Sequence, residues 1–283
     1  METGENNFRV IQSSKFHSNK TKEYHLSIQV GLKSLIFTLL NIKTLTYDYL
    51  QSFKFSSKNI IECEEKIRLF INENNLIKKS FSSTSISYVN CQNTLIPNTL
   101  FKEEKANSIL NFNAENHGYT LIDDIASQDA KIIYSIPKNI DKLLKTYFPF
   151  SKYSSQDKIL LEYYKKIQKD KIIIYAYFIE NKINITCFNK KNLVSHNHFE
   201  YKTKEDILYY VLFFYEQLDL LPTETELVLH GEIQKEDYNF LILYDYIKNI
   251  SFLKNTSKFK LCEKLKEIPT HNYIAIYNQI LCV

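Results

Sequence analysis

Glycine is scarce in this sequence, and its scarcity excludes the common phosphate-binding motifs. Four glycines occur among 283 residues, at positions 4, 31, 118 and 231. A GxGxxG fingerprint or a GxxxxGK[ST] loop needs several glycines close together, because the backbone must approach phosphate oxygens or take a positive φ. No two of these glycines are close enough for either motif. The chain therefore contains neither a dinucleotide-binding fingerprint nor a Walker loop.

Paired cysteines and long apolar runs are also missing. The five cysteines are scattered without a CxxC pair, which argues against a structural zinc site and against a disulfide framework. The longest apolar run, residues 207–215, is far shorter than the roughly 20 residues that span a membrane. The N-terminus lacks the apolar core of a signal peptide. We therefore expect a cytoplasmic protein with reduced thiols and no membrane partner.

A strong excess of charge is absent as well. The formal net charge is +4, with 36 basic and 32 acidic residues interleaved along the chain. Nucleic-acid-binding proteins usually concentrate their basic residues on one stripe, so we expect no nucleic-acid partner. Apolar material is plentiful, since 44% of the residues are hydrophobic and 14% are aromatic. This composition and length predict a globular protein of two domains.

Two sections of the chain share one order of predicted elements. In residues 22–150, three strands with short connections precede a helix with Ser57 as its N-cap and then another strand. In residues 151–283, three strands again follow closely on one another, and a long helix and a strand ending at Gly231 come next. Residues 1–21 are expected to form a flexible leader, and the C-terminal residues a strand. The repeated order predicts an internal duplication with two α/β halves built on mixed sheets.

Three stretches of the sequence carry a resemblance to a known family. They are LSIQVGLKSLIFTLLN, TLIPNTLFKEEKANSILNFN and the block LYYVLFFYEQL…LVLHGEI. In these stretches the chain resembles an uncharacterised Bacteroidota family of unknown function with an actin-like ATPase fold. Its second half is similar to the pilus-assembly actin-like proteins. The resemblance runs from about Tyr24 to the C-terminus and implies an actin-like ATPase fold of two ribonuclease-H-like halves related by internal duplication.

The same resemblance implies where a nucleotide site would lie. Actin-like ATPases bind ATP with Mg²⁺ between the halves, using an Asp at the end of the first strand of each of two hairpins and a glycine in each turn. The first hairpin here keeps Gly31, but the acid position holds Gln29, whose neutral amide offers no charge to a metal. In the second hairpin the acid position is Phe178, and the turn contains Glu180. The adenosine loop, usually a glycine pair, is reduced to Gly231.

These departures leave two hypotheses. In the first, the protein is a non-catalytic actin-like scaffold or protein-interaction module, a pseudo-ATPase that binds no cofactor and contacts an unknown protein or a second copy of itself. ATPase activity is not expected, because the metal-holding acids are missing. In the second, the protein is an ATP-binding switch or ATPase with atypical ligands. The cofactor-binding residues under this second hypothesis are Gln29, Gly31, Lys33, Ser34, Glu180 and Gly231.

The long helix of the second half is apolar almost all around its axis. Thr203 and Asp206 fit a capping box at its start. The face expected to pack on the helix's own sheet consists of Ile207, Val211, Phe214, Tyr215 and Leu218. The apolar surface continues around the helix through Leu208, Tyr209, Leu212 and Phe213. Such a helix must be covered on both faces, by another part of the chain or by a partner, so these last four residues are the predicted partner surface.

Two further clusters of titratable residues do not amount to a site. His196 and His198 lie on one face of a predicted strand and could be half of a metal site. No third ligand is near in the sequence, so a solvated strand face is the favoured interpretation and no metal ligand is assigned. Asp123 and Asp124 could form a carboxylate pair, but a ribonuclease-H-like nuclease needs acids on its first strand, where this chain has none. No catalytic residue is therefore assigned.

Overall fold

The computed structural model describes residues 7–89, 92–113 and 118–282, which form two compact units. Unit 1 consists of the described residues of Met1–Glu162, Ser257–Ile268 and Ala275–Val283. Unit 2 consists of Tyr163–Thr256 and Pro269–Ile274. The chain passes from unit 1 into unit 2 and returns twice. Neither unit is therefore one continuous stretch of sequence.

The described residues form fifteen strands and eight α-helices, with short 3-10 turns between several of them. The strands are β1 (Asn7–Gln12), β2 (Tyr24–Val30), β3 (Ser34–Asn41), β4 (Thr46–Lys54), β5 (Ser83–Tyr88), β6 (Gln92–Pro97), β7 (Tyr119–Ile125), β8 (Ala130–Ile136), β9 (Lys152–Ser155), β10 (Ile172–Ile179), β11 (Lys182–Asn189), β12 (Asn192–Glu200), β13 (Glu226–Gly231), β14 (Ile250–Phe252) and β15 (Lys260–Leu261). The helices are α1 (Ile60–Glu73), α2 (Ala106–Asn113), α3 (Lys138–Tyr147), α4 (Gln156–Ile167), α5 (Lys204–Gln217), α6 (Tyr238–Tyr244), α7 (Glu263–Lys266) and α8 (Ile274–Asn278). None of the helices in the described ranges is long and apolar enough to cross a membrane.

Both units are built on a mixed sheet with the same order of strands. In unit 2 the order is β12-β11-β10-β13-β14, in which β10, β11 and β12 form an antiparallel meander and β13 runs parallel to β10. In unit 1 the order β4-β3-β2-β5-β9 repeats this arrangement, with β1 and β15 added beside β4. The predicted internal duplication is therefore confirmed at the level of strand order, and both predicted meanders are present.

The first strand of each meander lies in the middle of its sheet and is covered on both faces. Every residue of β2 is buried, and so is every residue of β10 after the first. A strand covered on both faces takes a continuous run of buried side chains rather than an alternating pattern. This explains why β10 reads as the unbroken run IIIYAYFI, whereas the edge strand β12 is mostly polar and has no fully buried residue.

The core of unit 2 lies between one face of its sheet and helices α5 and α6. The predicted inward face of α5 is confirmed, because Ile207, Val211, Phe214 and Tyr215 are buried in one cluster with residues of β10, β11 and β13. Leu218 follows the helix and is half-buried beside the same cluster. The α5 helix begins as predicted, with a capping box formed by Thr203 and Asp206.

Unit 1 carries a second, three-stranded sheet in the order β6-β8-β7. This small sheet is inserted in the sequence between β5 and β9, and α2 packs on it through Ala106 and Leu110, which are buried against Ile133 of β8. Its strands β7 and β8 follow each other in the sequence and form an antiparallel pair. The insertion therefore lengthens unit 1 without changing the strand order of its main sheet.

Two local predictions in the first half differ from the structure. The N-cap of α1 is Asn59, whose Oδ1 accepts the N–H of Glu62 at 2.9 Å, while the predicted cap Ser57 donates its hydroxyl to the carbonyl of Leu32 at 2.9 Å. Within the segment expected to be a flexible leader, Asn7–Gln12 forms β1 and pairs with β4. This segment contains the apolar residues of the run FRVI, and it pairs with β4 at the edge of the sheet. The sequence alone does not show that this edge is open to a further strand.

The strand expected at the C-terminus is wrong, since α8 and short 3-10 turns occupy this segment. Gln279 is fully buried there: its Nε2 donates to Ser85 Oγ at 2.9 Å and to the carbonyl of Ile28 at 3.2 Å, and its Oε1 accepts from Ser87 Oγ at 2.8 Å. A short apolar run fits a strand or a buried helix equally well by periodicity. The hydrogen bonds of Gln279, which only the tertiary structure provides, favour the helical turn.

Gln279 contacts a row of polar side chains on one face of the unit 1 sheet, which we call the polar band. The polar band consists of His25, Ser27 and Gln29 on β2 and of Ser83, Ser85 and Ser87 on β5, which are paired in register. His25 binds Ser83 Oγ through Nδ1 at 2.7 Å and Ser85 Oγ through Nε2 at 2.9 Å. Burial lowers the pKa of His25 to about 4, so the ring is neutral in this surrounding.

Candidate functional site

The first hairpin joins β2 to β3 and holds four of the residues predicted for a nucleotide site. Gly31 donates its N–H to the carbonyl of Ser34 at 2.8 Å, which closes the turn. Ser34 is buried and begins β3, whereas the side chain of Lys33 is exposed and its carbonyl accepts the N–H of Phe55 at 2.9 Å. Gln29 is the last residue but one of β2. The structure thus brings these four predicted residues into one hairpin.

Gln29 is buried at the end of the polar band, with 5% of its surface exposed. Its Nε2 has no hydrogen-bond partner among the described residues. A buried donor without a partner carries a desolvation penalty, and an anion or a water molecule would relieve it. The amide offers no negative charge to Mg²⁺, which binds mainly through carboxylates, phosphates and water.

The second hairpin, between β10 and β11, presents a different surface. Its two-residue turn is Glu180-Asn181, and Glu180 has a φ of +55°, in the left-handed region that favours glycine. The N–H of Glu180 donates to Oε2 of Glu232 at 3.1 Å, and the N–H of Glu232 donates to the carbonyl of Phe178 at 2.8 Å. The turn amide that would face a phosphate in an actin-like ATPase is therefore hydrogen-bonded to a carboxylate of the same chain.

Gly231 ends β13 immediately before Glu232, and its surroundings explain why a glycine is needed. Its φ is +85°, and a Cβ at this position would lie 2.1 Å from the carbonyl oxygen of Phe178 and 2.8 Å from the ring of Tyr177. No side chain fits between these two strands without moving the backbone. Gly31, in contrast, does not have a positive φ. The requirement for Gly231 therefore comes from strand packing, whether or not a nucleotide binds.

The predicted partner surface on α5 is divided by the structure. Tyr209 and Phe213 are 62% and 37% exposed, and their rings stack with centroids 5.9 Å apart. Leu208 packs against the core of unit 2, and Leu212 is half-buried in a hollow of about 430 Å³ that Leu221 also lines. The exposed part of the predicted surface is therefore an aromatic pair.

An exposed group of residues on α6 was not predicted from the sequence. Helix α6 packs beside α5, and its side chains Tyr238, Leu241 and Tyr244 are exposed, as is Tyr246 just after it. Lys204 at the start of α5 lies over the ring of Tyr238, 5.7 Å from its centroid. The signal in the sequence is the series of tyrosines at 238, 244 and 246, which fits no single buried helix face.

Asp123 and Asp124 do not form a carboxylate pair. Oδ2 of Asp123, on the buried side of β7, accepts the N–H and the hydroxyl of Ser155 at 2.6 and 2.8 Å, and burial raises the pKa of this carboxyl. Asp124 points to the other side of the strand and forms an ion pair with Lys131. Adjacent residues of a strand face opposite sides, so the two carboxylates cannot act on one substrate.

Comparisons with known proteins agree with this fold. A family model described as "Protein of unknown function (DUF3822)" matches residues 13–250. A Bacteroides thetaiotaomicron protein with an actin-like ATPase fold and unknown function is similar over 85% of this chain and 94% of that chain, with 24% identity and a TM-score of 0.76. A chain of the PilM–PilN type IV pilus biogenesis complex is similar over 92% of this chain and 98% of that chain, with 8% identity and a TM-score of 0.58. No curated protein matches the sequence. At these identities the likenesses show the actin-like ATPase fold.

Proposed function

The chain belongs to the DUF3822 family of proteins of unknown function, and on this premise we propose that it is a non-catalytic actin-like scaffold with a degenerate nucleotide site. One observation carries the proposal: the carboxylate of Glu232 accepts the turn amide of Glu180, at 3.1 Å, in the second hairpin. Two acidic side chains thus lie at a turn that would have to accept a phosphate. A carboxylate about 4 Å from a phosphate charge costs roughly 4 kcal/mol at an effective dielectric constant of 20.

The first hairpin supports the same proposal. By the resemblance to actin-like ATPases, Gln29 takes the position of a metal-holding acid, and its amide supplies no charge for Mg²⁺. Without a charged ligand, the metal that neutralises a triphosphate would have to be held by the nucleotide and water alone. The two turns that would face the phosphates under the resemblance therefore lack the groups that ATP hydrolysis needs, and we propose no ATPase activity for this chain.

Thermal unfolding with and without ATP·Mg²⁺ tests the proposal. We expect no change in melting temperature at millimolar ATP·Mg²⁺, because a ligand that does not bind cannot stabilise the fold. Binding at 100 times Kd would stabilise the protein by about 2.7 kcal/mol, which a melting curve detects readily, and such a shift would overturn the proposal. Glu232→Gln is the matched variant: it removes the charge at the Glu180 amide, so a nucleotide-dependent shift in this variant alone would identify Glu232 as the group that excludes phosphate.

A second candidate function is an ATP-binding switch with atypical ligands, and one observation favours it. The Nε2 of Gln29 is a buried donor without a partner among the described residues, at the turn that contains Gly31 and Lys33. A phosphate oxygen would satisfy this donor. The melting experiment decides between the two candidates, and Gln29→Leu would lose any nucleotide-dependent stabilisation that depends on this donor.

A scaffold acts through its surface, and we assign the aromatic pair Tyr209 and Phe213, together with the exposed residues of the neighbouring helix α6, to a protein partner. Exposed aromatic side chains grouped on adjacent helices are typical of protein interfaces. A second copy of the chain and an unrelated protein are the two partners to distinguish. The charge of the chain is nearly balanced, with no basic stripe visible in the sequence, so a nucleic acid is not the proposed partner.

Substitution of the aromatic pair tests this assignment. Tyr209→Glu should weaken association by placing a charge in the buried centre of the interface. Leu69→Glu is the control, because Leu69 is exposed to a similar degree, 56%, on α1. Sedimentation velocity reports self-association, and cross-linking in the native host reports another partner. Loss of an association in both variants, or in neither, would contradict the assignment.

A further inference from the structure

Two histidines on the edge strand of unit 2 are held in an arrangement that the proposed scaffold function does not use. His196 and His198 are two residues apart on β12, so their side chains lie on the same face of the sheet, opposite Thr186 and Asn184 of β11. Both rings are half-buried. The rings are nearly perpendicular, at 87°, with centroids 4.7 Å apart, and their Nε2 atoms are 3.1 Å from each other.

The orientation of His196 is set by a buried neighbour. Its Nδ1 hydrogen-bonds with Oγ1 of Thr186 at 2.8 Å, and Thr186 is almost completely buried in the middle of the sheet. When Nδ1 donates this hydrogen bond, Nε2 keeps its lone pair. Histidines that bind metals generally have their other ring nitrogen held in this way, because the hydrogen bond fixes the tautomer and the ring plane.

The distance between the two Nε2 atoms matches that of two ligands on one metal ion. Imidazole nitrogens bind Zn²⁺ at about 2.0–2.1 Å. Two such bonds to nitrogens 3.1 Å apart enclose an angle of roughly 98° at the metal. This value lies between the right angle of square-planar or octahedral ligands and the wider tetrahedral angle. The two Nε2 atoms are therefore already at the separation that two ligands of one metal ion have, and a metal ion would replace the proton of their hydrogen bond.

We propose that His196 and His198 form a bidentate site for a divalent transition-metal ion on unit 2, with Thr186 as the positioning residue. Neutral imidazoles suit Zn²⁺, Ni²⁺ and Cu²⁺, and the order of affinities for such nitrogen ligands places Cu²⁺ above Ni²⁺ and Mn²⁺ last. Hard cations such as Mg²⁺ and Ca²⁺ require oxygen ligands and are not bound by this pair. The remaining coordination positions are open to water or to a further donor.

Metal titration of the untagged protein tests the proposal. Calorimetry with Ni²⁺ or Zn²⁺ should show one equivalent bound by the wild type, and His196→Gln and His198→Gln should each weaken binding at least tenfold. His17→Gln is the matched control, because His17 is exposed on unit 1 and should leave binding unchanged. Thr186→Val should weaken binding by roughly tenfold while both ligands remain, as expected for a group that orients a metal-bound histidine.

Electron paramagnetic resonance of the Cu²⁺-loaded protein gives a readout that a purely structural role of the histidines would not change. The wild type should show coupling to two imidazole nitrogens, and each glutamine variant should lose one of them. Circular dichroism checks that the variants are folded. We expect both glutamine variants to fold, because the two positions are only half-buried and glutamine is a conservative replacement. Absence of metal binding by the wild type, or binding that persists undiminished in either glutamine variant, would overturn the proposal.

Discussion

Two buried histidines make the stability of the protein sensitive to acid. Burial lowers the pKa of His25 to about 4, and burial together with the charge of His271 lowers the pKa of His230 to about 3. In an unfolded chain a histidine has a pKa near 6.5. Below about pH 6.5 the unfolded state therefore binds protons that the folded state does not, and the free energy of unfolding falls as the pH is lowered from about 6.5 to about 4.

His25→Gln is expected to remove part of this pH dependence. One such histidine contributes a slope of up to about 1.4 kcal/mol per pH unit between its two pKa values, and glutamine does not titrate. Urea unfolding at a series of pH values between about 7 and about 5 measures the slope. The control His17→Gln, at an exposed position, should keep the slope of the wild type. An equally steep slope in the His25 variant would show that the buried ring is not its source.

Gly231→Ala is expected to destabilise the protein by about 2–4 kcal/mol, because the methyl group meets the carbonyl of Phe178 and the residue must keep a positive φ. Equilibrium unfolding in urea measures the change in the free energy of unfolding. Gly31→Ala should cost less, since Gly31 does not have a positive φ. A loss below about 0.5 kcal/mol at Gly231 would mean that the two strands can separate to admit a side chain.

At the scale of elements, the start of α5 is an example of a boundary that the sequence specifies. Thr203 accepts the N–H of Asp206, and the Asp206 carboxylate accepts the N–H of Thr203, which is the predicted capping box. Thr203→Ala should lower the free energy of unfolding by about 1 kcal/mol, and Thr203→Ser, which keeps the hydroxyl, should lower it by less. Denaturant unfolding of both variants checks this. Equal losses would indicate that the hydroxyl does not stabilise the helix.

Other element boundaries depend on contacts that are remote in the sequence. Ser57 and Asn59 are both good N-cap residues, and Asn59 takes the position because the hydroxyl of Ser57 is used by the carbonyl of Leu32. The C-terminal segment has a pattern that suits a strand or a helix, and Gln279 settles it by binding the polar band. Local patterns thus predicted both meanders and the inward face of α5, and failed where a distant side chain was the deciding partner.

At the scale of the whole molecule, the repeated order of elements was sufficient to predict two α/β halves on mixed sheets, and the resemblance to a known family added the actin-like ATPase fold. The duplicated strand order, with each meander followed by a parallel strand, is visible in the sequence as short strands separated by tight turns. The geometry of the candidate site was not predictable in the same way. The contact between Glu232 and the Glu180 amide joins residues 52 positions apart, and the stacking of Tyr209 on Phe213 depends on which side of α5 is covered.

The discontinuous composition of unit 1 leads to a prediction about its stability. Gln279 is buried there, so Gln279→Met should leave the hydroxyl of Ser87 and the carbonyl of Ile28 without this partner and lower the free energy of unfolding by about 1–3 kcal/mol. Gln217→Met, at an exposed position on α5, is the control and should have little effect. Urea unfolding of the full chain measures both. A Gln279 variant as stable as the wild type would show that water replaces the lost hydrogen bonds.

The return of residues 275–282 to unit 1 also sets an order of events during synthesis. Strands β2 and β5 leave the ribosome long before Gln279 does, so the polar band remains without this partner while all of Tyr163–Thr256 is being made. Domains that consist of one continuous segment can finish folding as soon as they emerge. Unit 1 is not of this kind: its earliest strands must wait for residues that follow all of Tyr163–Thr256 in the sequence, so unit 1 is completed only after the main segment of unit 2 has been made.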